Sequence, residues 1–100
     1  MEMNVTIPVE PIRAFCQKWK VRELSLFGSV LRDDFGCDSD VDVLVEFAPG
    51  AGWTYWDYPD MIAELEQIFG RTVDLVEMRA LDNPFRRRSI LEGRRIVYAA

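Results

Sequence analysis

Two aspartates one residue apart, Asp40 and Asp42, open a valine-rich run, and a third, Asp74, stands inside another, Thr72-Val73-Asp74-Leu75-Val76. A carboxylate inside a valine-rich strand is unfavourable unless it is solvated, paired or bound to a cation. Three ionised carboxylates held close repel one another, and some must take up protons unless a cation joins them. Ligation by oxygen alone suits Mg²⁺ or Mn²⁺, and Mg²⁺ takes only a few carboxylates, filling its other positions with water and phosphate. The chemistry implied is the handling of a nucleoside triphosphate.

Gly28-Ser29 is the second chemical feature. It falls where a strand reading ends and a short helical turn begins, a junction that offers unpaired backbone N–H groups to an anion. Glycine allows close approach, Ser29 can cap the turn and donate its hydroxyl to a phosphate oxygen, and Arg32, three residues on, adds positive charge on the same side. A phosphate cradle would then face a metal cradle.

Other chemistries are excluded by composition. The chain has no histidine, which removes His-based triads, His-ligated zinc and haem, and imidazole acid/base catalysis. Cys16 and Cys37 form no C-x-x-C pair, so they read as ordinary thiols of a cytoplasmic protein.

The elements that must position these residues follow from periodicity. Residues 9–19 read as a helix with Ile12, Phe15, Cys16 and Trp19 on one buried stripe. Residues 21–27 read as a strand, 30–34 as one or two helical turns and 36–39 as a polar loop. In residues 40–47, Val41, Val43, Val45 and Phe47 alternate with Asp40, Asp42, Leu44 and Glu46, so one face is apolar and the other begins with two acids. Pro59 opens a second helix with Met61, Ile62, Leu65, Ile68 and Phe69 inward and Gly70 as the C-cap residue. Residues 72–77 form a third strand with Asp74 opposite Val73 and Leu75. A basic helix over 85–91 and a strand over 95–98 complete the order.

This alternation predicts an α/β fold whose valine-rich sheet face is covered by the two amphipathic helices, with the opposite face relatively bare. If the strands bearing Asp40, Asp42 and Asp74 are neighbours, all three carboxylates fall on that bare face.

One hundred residues, 49% hydrophobic and 29% charged, suit one small domain spanning 1–100. No run approaches the roughly eighteen apolar residues of a membrane span. The start lacks the basic and apolar regions of a signal peptide, so no membrane association and a cytoplasmic location are expected. Residues 1–70 carry 5 basic and 13 acidic side chains, and residues 71–100 carry 7 and 4, for a net charge of −5. A net acidic chain is not a general nucleic-acid binder, although its late arginines could meet phosphate locally.

Gly28-Ser29, a gap of ten residues, Asp40-x-Asp42 and a third strand acid at Asp74 together resemble the minimal nucleotidyltransferase family of the DNA polymerase β-like superfamily. The likeness is densest over residues 24–47 and 65–77. It implies a small mixed β-sheet with helices on one face, Mg²⁺ or Mn²⁺ held by Asp40, Asp42 and Asp74, ATP bound by Gly28 and Ser29, and Asp74 activating the attacking hydroxyl. The resemblance also implies a partner, because family members commonly pair with a HEPN-domain ribonuclease toxin and act as its antitoxin, some by transferring AMP to a tyrosine near the toxin's active site. A hetero-oligomer with the toxin is then expected. Two alternatives remain: an antitoxin that masks the toxin without chemistry, and a transferase acting on a small molecule.

Further residues stand out without an assigned role. Glu46 reads as a solvated rim residue, and Asp33, Asp34 and Asp38 as loop acids. Trp53, Tyr55, Trp56 and Tyr58 could stack a base or meet a partner, with packing onto the protein's own core the simpler reading. Arg86, Arg87 and Arg88 would spread around a helix and stay solvated, or meet phosphate or an acidic partner.

Overall fold

The computed structural model describes residues 7–28 and 40–100. In chain order they form α1 (Val9–Lys18), β1 (Val21–Phe27), β2 (Val41–Phe47), α2 (Tyr58–Phe69), β3 (Val73–Glu77), a 3₁₀ turn (Met78–Ala80), α3 (Pro84–Gly93) and β4 (Arg95–Ala99). The expected turns at 30–34 and 36–39 lie outside the described residues.

The strands make one mixed sheet in the order β3-β2-β1-β4. β1 runs antiparallel to β2 and to β4, whereas β2 and β3 are parallel. A parallel pair needs a crossover connection, and α2 supplies it. Gly70 ends α2 in the left-handed conformation at φ +68°, with its N–H bonded to the Glu66 carbonyl at 2.8 Å, as the sequence predicts.

Helices α1 and α2 cover the valine face. Ile12, Phe15 and Cys16 from α1 and Met61, Leu65 and Phe69 from α2 join Val41, Val43, Val45, Leu24 and Leu26 in the main core. Burial pushes the Cys16 thiol pKa up to about 12, which leaves it an inert core group. Cys37 lies outside the described residues. Trp53 packs edge-on against Trp19, with ring centroids 5.0 Å apart, and its indole N–H bonds to the Trp19 carbonyl. The core reading therefore holds for Trp53. Tyr58 is half-buried, but Tyr55 and Trp56 are 87% and 88% exposed.

The opposite face is not bare, contrary to the sequence expectation. Phe27, Leu44, Leu81 and Ile90 form a second small cluster there, flanked by Val76, Met78 and Leu91. Leu44 and Val76 are the apolar residues that follow Asp42 and Asp74 on the same face. The 3₁₀ turn and α3 cover them, leaving the carboxylates at the uncovered end. Helix α3 escaped the apolar-stripe criterion because Ile90 and Leu91 are its main inward residues within an arginine-rich run.

Candidate active site

The site is built by strand register. Asp42 pairs with Asp74 across the parallel β2–β3 ladder, between the pairs Val41–Val73 and Val43–Leu75. Paired residues on neighbouring strands lie about 5 Å apart and point to the same face. The ladder is anchored at this end by the Val41 N–H, which donates to the Thr72 carbonyl at 2.9 Å. Asp40 stands one residue before β2, and strand alternation carried back one step places it on the face of Asp42. Asp42 is half-buried, whereas Asp40 and Asp74 are exposed.

On its other side Asp42 pairs with Phe27, the last residue of β1. Gly28 follows at φ +72°, and a Cβ placed on it would fall 2.3 Å from Asp42 Oδ2. Both the backbone conformation and the space therefore demand glycine. The Gly-Ser motif and the Asp-x-Asp motif, separate in sequence, meet at this contact. Ser29 and Arg32 lie outside the described residues.

The donor set is oxygen only, as Mg²⁺ or Mn²⁺ requires, and two protein carboxylates suffice where phosphate and water complete the coordination. Among the described residues, no group of three Asp, Glu or Cys side chains is gathered closely enough to hold a metal ion. Asp40, Asp42 and Asp74 thus share one end of one face without closing into a cage. Both Asp40 and Asp42 engage other groups in the fold. The Asp42 carboxylate is fitted closely over Gly28.

A second concavity of about 260 Å³, which the sequence does not reveal, lies at the other end of β2. Arg22, Arg79 and Arg87 line it together with Glu46 and Glu77. Only Arg87 belongs to a run that sequence alone marks as unusual. A groove between α1 and α2, about 400 Å³ and lined by Phe15, Lys18 and Glu64 among others, lies on the far side of the sheet from the acids. No helix among the described residues is long and apolar enough to cross a membrane.

The profile of the nucleotidyltransferase domain family matches residues 10–97. A protein of Methanocaldococcus jannaschii named "Putative protein adenylyltransferase" is 37% identical over 75 residues, which are 75% of each chain. A solved structure described as a "putative minimal nucleotidyltransferase" is 32% identical with a TM-score of 0.71, over 86% of this chain and 85% of that one. The same fold recurs, at 18% identity, in two assemblies. One is a toxin-antitoxin with AMP-PNP, with a TM-score of 0.73 over 93% of this chain and 74% of that one. The other is a tri-AMPylated Shewanella oneidensis HEPN toxin with its MNT antitoxin, with a TM-score of 0.65 over 91% of this chain and 69% of that one.

Proposed function

This chain belongs to the nucleotidyltransferase domain family, and we propose that it transfers AMP from ATP to a hydroxyl group of a partner protein, releasing pyrophosphate. The observation that carries this reading is the meeting of Gly28 with Asp42, and of Asp42 with Asp74 in paired register, at the open end of one sheet face.

Asp40, Asp42 and Asp74 are the residues that would hold Mg²⁺, or Mn²⁺ in its place. Such an ion, when bound, offsets charge on the attacking and leaving oxygens of an in-line displacement. Gly28 and Ser29 bind the triphosphate through backbone N–H groups and the hydroxyl, and Arg32 adds charge to the phosphates. Asp74, more open than Asp42, accepts or relays the proton of the acceptor hydroxyl. With both substrates fixed by these groups, positioning supplies much of the rate.

The acceptor in this reading is a tyrosine of a HEPN-domain ribonuclease toxin in the cytoplasm, and the chain is its antitoxin. The AMP-carrying toxin held by a chain of the same fold supports it, as does the adenylyltransferase name of the archaeal relative.

Mass spectrometry of a HEPN protein co-expressed with this chain tests the reading. AMP-sized mass steps on a tyrosine, lost with Asp42→Asn, are the expected result. An unmodified toxin held inactive only while the chain remains bound would replace transfer by masking.

A further inference from the structure

We propose that the arginine-lined concavity at the far end of β2 is a docking site for an acidic segment of the acceptor protein. Three guanidinium groups from three separate elements, Arg22 of β1, Arg79 of the 3₁₀ turn and Arg87 of α3, surround it. They face two carboxylates, Glu46 and Glu77.

The existing pairs leave donors to spare. Arg79 Nε stands 3.8 Å from Glu77 and Arg22 Nε stands 3.9 Å from Glu46, within ionic reach but beyond hydrogen-bond distance. Arg87 makes no ion pair with any described residue. A guanidinium carries five N–H donors in a planar fork, the geometry that receives a carboxylate through two parallel bonds. Glu77 is already engaged from the other side, by the Tyr58 hydroxyl, which donates to it.

An exposed aromatic adjoins this group of residues. Tyr55, 87% exposed, stands edge-on to Tyr58, the residue bonded to Glu77, with centroids 5.9 Å apart. Tyrosine and arginine are both enriched among the residues that carry binding energy at protein interfaces. On a chain of net charge −5 with 13 acids in its first 70 residues, a local excess of arginine fixes where an acidic partner can settle. Glu46 lies four residues beyond Asp42 on β2, about 13 Å at the rise of a strand, so one partner surface can span both sites. A continuous polyphosphate backbone suits the concavity less well, because Glu46 and Glu77 repel it whereas a single carboxylate can lie between the arginines.

This inference rests on the reading above for the identity of the acceptor, but its test requires no transfer. A short oligoglutamate peptide is titrated into the whole chain, and the arginine Nε–Hε resonances are followed by NMR. The expected result is saturable binding that shifts signals of Arg22, Arg79 and Arg87 and weakens about tenfold or more in the double variant Arg79→Ala, Arg87→Ala. Asp42→Asn, which removes the transfer reading's central carboxylate, should bind the peptide as the native chain does. Equal binding of oligoglutamine, an unaffected double variant, or tighter binding of inorganic phosphate or a short RNA would overturn the proposal. With the protein acceptor, the double variant should raise KM and leave kcat in place.

Discussion

The carboxylate of Asp42 lies directly against the backbone of Gly28, so close that a methyl group on that glycine would sit 2.3 Å from Oδ2. The contact brings the glycine at the end of β1 and the carboxylate at the start of β2 together, the two groups to which the proposed reading gives phosphate and metal binding. It follows from the antiparallel pairing of Phe27 with Asp42, which places the residue after Phe27 beside the side chain of Asp42.

Gly28→Ala tests that contact. Alanine at φ +72° costs about 1–2 kcal/mol in backbone strain. Its methyl group must also displace the carboxylate. A displacement of about 1 Å near reacting groups costs on the order of a hundredfold in rate. The variant should remain folded by circular dichroism, melt lower, and lose AMP transfer by roughly that factor.

Asp42 and Asp74 are like charges at directly paired positions. Removing the charge of the exposed Asp74 with Asn should therefore stabilise the metal-free fold by about 0.2–1 kcal/mol, while Asn at either position should reduce transfer by on the order of a hundredfold or more. Thermal melts in EDTA and labelled-ATP assays on the same samples measure the two effects. A lower melting temperature for Asp74→Asn would contradict the repulsion.

The Tyr58 hydroxyl has its pKa raised to about 12 from the ordinary 10.0, first by desolvation and then by its hydrogen bond to Glu77 and that carboxylate's charge. Because the folded state holds this proton more tightly than the unfolded chain, its contribution is complete below pH 10 and is lost as pH rises towards about 12. An ultraviolet titration should show a late tyrosine step that Tyr58→Phe removes. In that variant, stability should fall less between these two pH values.

Asn83 caps α3, its side-chain oxygen accepting from the N–H groups of Phe85 at 2.9 Å and Arg86 at 3.1 Å. Asn83→Ala should cost about 1 kcal/mol. For a domain of this size that corresponds to a fall of roughly 4–8 °C in Tm. Denaturant melts measure it directly, and the loss should leave the affinity for nucleotide unchanged, since α3 is braced by Ile90 and Leu91.

The acids were legible because strand periodicity is strict. Asp42 and Asp74 interrupt valine runs at positions whose neighbours face the core, so adjacency of their strands implies a common face. The Gly28–Asp42 contact was not legible, because turn chemistry marks Gly28 without giving the register of β1 on β2. The covering of Leu44 was missed for a different reason: α3 contributes chiefly Ile90 and Leu91 to that cluster, too few for a periodic signal. The aromatic group divided, with Trp53 packed on Trp19 and Tyr55 and Trp56 left outside, a separation that depends on where a loop turns. Arg22, Arg79 and Arg87 converge only in three dimensions.

Manganese binding tests the central claim most directly. Mn²⁺ is titrated into the chain with AMP-PNP present, and the free ion is followed by electron paramagnetic resonance. The native chain should bind the ion with its nucleotide, and Asp42→Asn and Asp74→Asn should each lose that binding while remaining folded. Equal uptake of Mn²⁺ by the native chain and both variants would contradict the assignment of these carboxylates.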